Sequence, residues 1–83
     1  MENRVSIISI IVEDPNAAEQ VNALLHLFGG YIIGRMGLPY KERGIAIICV
    51  VLDAPADITS SLSGKLGMIK GVTTKTVTSK TGA

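Results

Sequence analysis

Ile45-Ala-Ile-Ile-Cys-Val-Val-Leu52 is apolar throughout and rich in β-branched side chains. Its length and branching predict a strand. Before it, Pro39-Tyr-Lys-Glu-Arg-Gly44 is a polar turn, and Tyr31 to Leu38 predicts another strand, weakened by Gly34 and Gly37. After it, Asp53-Ala-Pro55 signals a helix start, with the acid as cap and Pro near the first turn. Ile58, Leu62 and Leu66 mark that helix's buried face, and Gly67 closes it. Gly71 precedes a last, Thr-rich strand from Val72 to Thr78, which carries Lys75. The N-terminal half repeats the pattern. Val5 to Val12 predicts a strand, Asp14-Pro15 opens a helix, and Ala18, Val21, Leu25 and Phe28 recur at helical spacing, with Leu24 widening the stripe. Gly29-Gly30 stops it. The tail from Ser79 to Ala83 is expected to fray.

The order is βαββαβ, a single ferredoxin-like α+β domain over residues 1–83 with an ordered core over about 4–78. Right-handed crossovers set strands one and three side by side, with two and four outside them. The expected sheet is four-stranded and antiparallel, in the order 4-1-3-2, with both helices on one face. Composition agrees: strands one and three are the most apolar, the character of central parallel strands. Strands two and four carry the Gly, Arg, Lys and Thr of managed edges. Strand three offers Ile45, Ile47, Cys49 and Val51 on one side and Ala46, Ile48, Val50 and Leu52 on the other. Strand one offers Val5, Ile7 and Ile11 against Ile8, Ile10 and Val12. Both faces are apolar, so both are expected to be covered, and a second copy is the simplest cover for the helix-free one.

Bulk properties point the same way. A chain of 83 residues buries only about 60% of its unfolded surface, yet 47% of its residues are hydrophobic and only 18% are charged. Self-association hides what one small domain cannot. The net charge is +1, and Lys and Arg are scattered, so the basic stripe of a nucleic-acid binder is missing. One Cys makes no internal disulfide, which fits a reducing, cytoplasmic setting. No signal peptide is expected at the N-terminus, and no apolar run approaches the roughly 20 residues of a membrane span.

Several chemistries fail on residue types. An iron–sulfur cluster needs several cysteines. An RNA-recognition sheet needs aromatic residues on its central strands, which have none. Ser63-Gly64-Lys65 lacks the rest of a phosphate loop, because Thr59 and Leu66 stand where Gly and Ser or Thr belong. His26, the one histidine, lies between Leu25 and Leu27, off the apolar stripe, and is expected to be a half-exposed helical side chain. Cys49, between apolar neighbours, is expected to be a buried, quiet thiol. No catalytic residue, metal set or cofactor site is assigned.

Two clusters remain as ligand-binding candidates. Asp14 and Asn16 form a polar turn after a central strand, beside the first amides of a helix, where small ligands of α/β sheets bind. Helix capping is their other role. Ser63, Gly64 and Lys65, with Ser61, lie on the second helix. Gly64 costs about 1 kcal/mol against Ala in a helix interior, which close packing against a neighbour or approach of a ligand would explain. Lys65 would supply charge. Arg35, Tyr40, Lys41 and Arg43 frame the hairpin, as a solvated turn or as a contact.

An ordered set of segments then carries a family resemblance over about residues 4–77: Ile11-Val-Glu-Asp14, Val21-Asn-Ala-Leu-Leu-His26, Arg35-Met-Gly-Leu-Pro39, Ile45-Ala-Ile-Ile48, Leu62-Ser-Gly-Lys-Leu-Gly67, Gly71-Val72 and Lys75-Thr-Val77. The chain resembles the small regulators encoded with iron-only hydrogenase systems in anaerobic bacteria. That resemblance implies an ACT-like domain, similar in shape to the C-terminal domain of the nickel-responsive regulator. ACT-type domains pair and bind small molecules, often amino acids, at subunit interfaces. This chain has Asn16 after Asp14-Pro15 where the ACT turn carries Gly, and its lone His26 and Cys49 do not reproduce a nickel set. Shape and assembly carry over; nickel does not. With no DNA-binding arm before strand one, a transcriptional effect would need a partner protein. The expected function is a cytoplasmic, non-enzymatic regulatory or ligand-sensing module of an iron-only hydrogenase system. It would act as a homo-oligomer, dimer or tetramer, joined through the apolar sheet face. Its remaining partners would be a small-molecule effector and a regulatory protein, with no direct contact to nucleic acid or membrane. The rival readings are a metal sensor using His26 across subunits, an interaction domain without ligand, and a small enzyme.

Overall fold

Four strands and two helices follow in the predicted order in a computed structural model that describes residues 2–80. They are β1 (Asn3–Val12), α1 (Ala18–Leu27), β2 (Ile32–Tyr40), β3 (Ile45–Pro55), α2 (Ala56–Gly67) and β4 (Val72–Thr78). The sheet order is β2-β3-β1-β4, the expected 4-1-3-2 read from the other edge. Every neighbouring pair is antiparallel. The apolar character that suggested central parallel strands therefore has another cause. Each helix crossover joins strands that are not adjacent, and β1 and β3 are apolar on both sides for separate reasons.

One side of the sheet meets the helices. Ile8, Ile10 and Val12 of β1 and Ile48, Val50 and Leu52 of β3 alternate onto this inner face and are buried. They pack with Val21 and Leu25 of α1 and with Leu62 and Leu66 of α2 in one core. Most of the helical stripes read from the sequence seat on the sheet; Ala18 and Ile58 stay half-buried outside the core, and Ala17 is buried in it. Fully burying one such side chain contributes about 1.5–3 kcal/mol.

The element ends differ in instructive ways. Asp14 does cap: its carboxylate accepts from the Asn16 N–H at 2.9 Å, but the turn it opens is a 3-10 turn over Pro15–Ala17 that runs into α1. Asp53 does not cap α2. β3 continues through Asp53 and Ala54 to Pro55 by pairing with Val5, Arg4 and Asn3 of β1. The longer β1 supplies partners, so the strand outlasts its turn signal. α2 then starts with no side-chain cap at Pro55, and Asp57 in its first turn accepts from the Ile58 N–H at 3.0 Å. β2 starts later than predicted because Gly29–Tyr31 forms a 3-10 turn. It also extends through Pro39 to Tyr40, an edge position where Pro withholds no ladder bond that matters.

The first two residues of the tail are bonded back to β1. The Ser79 N–H donates to the Val5 carbonyl at 2.9 Å, and the Arg4 guanidinium donates to the Ser79 and Lys80 carbonyls at 3.3 and 3.2 Å. Met1 and 81–83, part of the expected domain and tail, lie outside the described residues. No helix among the described residues is long and apolar enough to cross a membrane.

Candidate functional site

A groove of about 410 Å³ opens between α2 and β4, within the size range of small-molecule sites. Hydroxyls dominate its lining. β1 contributes Ser6, α2 contributes Thr59, Ser60 and Ser63, and β4 contributes Thr76 and Thr78, with Gly64 and Ala56 completing the wall. β4 alternates Thr74, Thr76 and Thr78 onto the helix side of the sheet through its register with Ile10, Ile8 and Ser6. α2 brings Thr59 and Ser63 round one turn apart. Two bonds knit the groove: Ser6 Oγ and Thr78 Oγ1 share a hydrogen bond of 2.9 Å, and Thr76 Oγ1 donates to Ser63 Oγ at 3.0 Å. Thr59 is only 4% exposed, and its Oγ1 is buried without a hydrogen-bond partner. Such a hydroxyl costs about 1–3 kcal/mol. The lining carries no formal charge, and hydroxyls both donate and accept. The groove therefore suits a small neutral polar molecule better than an anion.

The five candidate residues do not form one site. Ser63 and Gly64 line the groove. Gly64 has nothing of its own chain within contact range of a built Cβ, so intrachain packing is not what keeps it glycine. Lys65 is exposed on α2 and is not among the lining residues. Asp14 and Asn16 sit at the other end of β4's course. Asp14 is engaged as a cap and lies against Gly71, while Asn16 is exposed. An apolar cleft of about 350 Å³ beside that turn is lined by Val12, Pro15, Ala18, Lys41, Gly44, Ile45 and Ala46, and by neither candidate. Sequence reasoning missed Ser6, Thr59, Thr76 and Thr78; the alternation of threonines along β4 was the available signal.

The helix-free outer face is the second feature. Its central rows read Leu38–Ile47–Ile11–Thr73, Met36–Cys49–Ser9–Lys75 and Gly34–Val51–Ile7–Val77 across the four strands. Tyr40 and Ile45 extend it at one end, Val5 and Asp53 at the other. Ile7 and Ile11 remain 40% and 41% exposed although they lie on a central strand. Cys49 is a half-buried free thiol on this face, not the fully buried one expected. Only the sequence neighbours were apolar; the space above the strand is open in the single chain. His26 is exposed on α1, on the other side of the sheet from Cys49. Arg35 turns to the helix side, where it donates to Asn22 Oδ1 at 3.0 Å. The described residues contain no cluster of three or more His, Cys, Asp or Glu that could hold a metal ion.

Residues 4–76 match the model of the TM1266-like family, whose description reads "Iron-only hydrogenase system regulator, putative". The solved structure of the uncharacterized protein TM1266 from Thermotoga maritima superposes with a TM-score of 0.91 at 46% identity, covering 95% of this chain and 100% of that one. The ACT domain of GTP pyrophosphokinase from Chlorobium tepidum gives 0.77 at 22% identity, covering 90% of this chain and 99% of that one. A formyltetrahydrofolate deformylase from Pseudomonas putida gives 0.63 at 14% identity, over 88% of this chain and 28% of that one. The last two are likenesses of fold. A comparison with curated protein sequences gives no match.

Proposed function

The chain belongs to the TM1266-like family of iron-only hydrogenase system regulators and has an ACT-like fold, and from that premise we propose that it acts as a homo-oligomeric regulatory module without catalysis. The observation that carries this reading is the outer face. Val5, Ile7, Ile11, Met36, Leu38, Tyr40 and Val77 all stand exposed there. Contiguous apolar surface of this kind marks an interaction site, and a second subunit covers it at no cost in new chain. A specific interface of this type buries at least about 1,200 Å² in total. Sedimentation equilibrium at micromolar concentration tests it: a dimer or tetramer is expected, and a monomer sinks the reading.

The absence of catalysis is supported by placement. The one histidine and the one cysteine lie on opposite sides of the sheet, too far apart to act as nucleophile and base. The single cysteine also fits a cytoplasmic setting. Regulation of the hydrogenase system would then pass through a partner protein, with no direct contact to nucleic acid or membrane.

Ligand sensing, the finer part of the reading, is supported by the α2–β4 groove and its unpartnered Thr59 hydroxyl. The effector would be small, neutral and polar, held by Ser63 and its hydroxyl neighbours. A thermal-shift screen of small polyols, amides and amino acids tests it. A ligand at a hundredfold excess over its Kd adds about 2.7 kcal/mol, and a hit that shifts a Thr59→Val variant equally lies elsewhere.

A further inference from the structure

The outer face is apolar but not chargeless. Among its strand positions two carry charge: Asp53 on β3, opposite Val5, and Lys75 on β4, opposite Ser9. Asp53 is half-buried, and its Oδ1 is closed off from solvent with no hydrogen-bond partner. Lys75 is exposed. The one ion pair among the described residues is Arg4–Glu2, so no described residue neutralises either outer-face charge. The other charges bordering this face, Glu13 and Arg43, flank a cavity at its far end with Ile11, Tyr40, Ile45 and Ile47. A carboxylate with an oxygen shut away from water wants a cation, and the described residues offer it none.

We propose that the partner at this face is a second copy of the chain, and that its Lys75 ammonium meets Asp53 in two symmetric ion pairs across a two-fold axis. This rests on the oligomeric reading above and names the contact that sets its geometry. The lattice of the sheet allows it. With strands about 4.8 Å apart and residues about 3.4 Å apart, Asp53 and Lys75 lie about 17 Å from each other in the sheet plane, too far to pair within one subunit. The in-plane axis that lays each Lys75 over the partner's Asp53 bisects that separation. It passes beside Ile7 and within about 3 Å of Cys49, through the middle of the apolar rows. The two sheets then cross at roughly 70°, near the orthogonal class of sheet packing. One symmetry operation thus buries the apolar centre and matches both charges, as an isologous interface requires. The pairs fix orientation, while the apolar rows supply the affinity.

The experiment is a charge swap followed by sedimentation equilibrium on the full chain. Lys75→Asp sets two acids against each other and is expected to weaken the dimer at least tenfold; Asp53→Lys does the same with two bases. The double swap restores the wild-type dissociation constant within about threefold. Circular dichroism verifies that each variant is folded. Should Asp53→Lys fail to fold, Asp53→Asn with Lys75→Met takes its place. Wild-type dimerisation weakens as sodium chloride rises, and that pair of neutral changes removes the salt dependence. A dimer that ignores the single swaps, or whose double swap stays weak, overturns the ion pair and leaves the oligomer standing. A wild-type monomer overturns both.

Discussion

Gly71 lies against Asp14 so closely that a Cβ built on it would stand 2.6 Å from the Asp14 Cβ. Its φ of +82° adds a second demand for glycine. The Gly71 carbonyl also accepts from the Glu13 N–H at 2.7 Å. The turn into β4 and the turn out of β1 are therefore one fitted joint. Gly71→Ala is expected to cost at least about 2 kcal/mol, from a positive-φ penalty and a backbone clash together. Urea denaturation measures it, and a loss below about 0.5 kcal/mol contradicts the geometry.

Gly64 predicts the opposite. It sits in α2 with open space where a Cβ would go. Gly64→Ala is expected to stabilise the ligand-free protein by about 0.5–1 kcal/mol. The same urea titration tests it. A destabilisation would mean that something outside the chain packs there, and a shift in oligomer size alongside it would identify a subunit contact.

Cys49 reports on the outer face. In the proposed oligomer its thiol would be covered; in the single chain it is half-buried and free. Native protein at high concentration is expected to resist a thiol reagent. Ile47→Lys, in the row next to Cys49, should release the subunits and raise the labelling rate at least tenfold. Equal rates in the two proteins would show that this face is not the interface.

Thr59→Val removes a buried hydroxyl that bonds to nothing and keeps the side chain's shape. Without ligand, the variant is expected to be more stable by about 1–3 kcal/mol. Differential scanning calorimetry would read this as a Tm rise of several degrees. An unchanged or lower Tm would show that the hydroxyl is satisfied, by water or by a neighbour.

The fold was legible because its punctuation is strong. Two-sided apolar runs at Val5–Val12 and Ile45–Leu52 found the central strands, and Val21, Leu25, Leu62 and Leu66 found the helix faces. Asp53 misled because the same Asp-x-Pro spelling that ends a strand in isolation can be carried further by a paired neighbour, and Arg4 and Val5 were there to do it. The bonds that reach the tail had no local signal, because they come from Arg4, 75 residues away from Ser79 in sequence. The groove was legible only at Ser63 and Gly64. Its other walls come from β1 and β4, whose register to α2 no local pattern states. Asp14 and Asn16 read as a ligand turn or a helix cap, and the structure shows the cap, with Asp14 Oδ1 accepting from the Asn16 N–H.

β4 is held differently from the rest of the sheet. Beyond Val72, its inner side chains are threonines, of which Thr78 reaches Ser6 and Thr76 reaches Ser63 through hydroxyl bonds, where β1 and β3 are held by packed Ile, Val and Leu. Hydroxyl bonds exchange readily with water, and an edge strand has only one neighbour to lose. β4 is thus held less firmly than the two central strands, and its amides are expected to exchange with deuterium well before those of β1 and β3. Anything that settles among those hydroxyls closes this opening. The protein could then signal occupancy through the order of one edge strand, with its folded core unchanged.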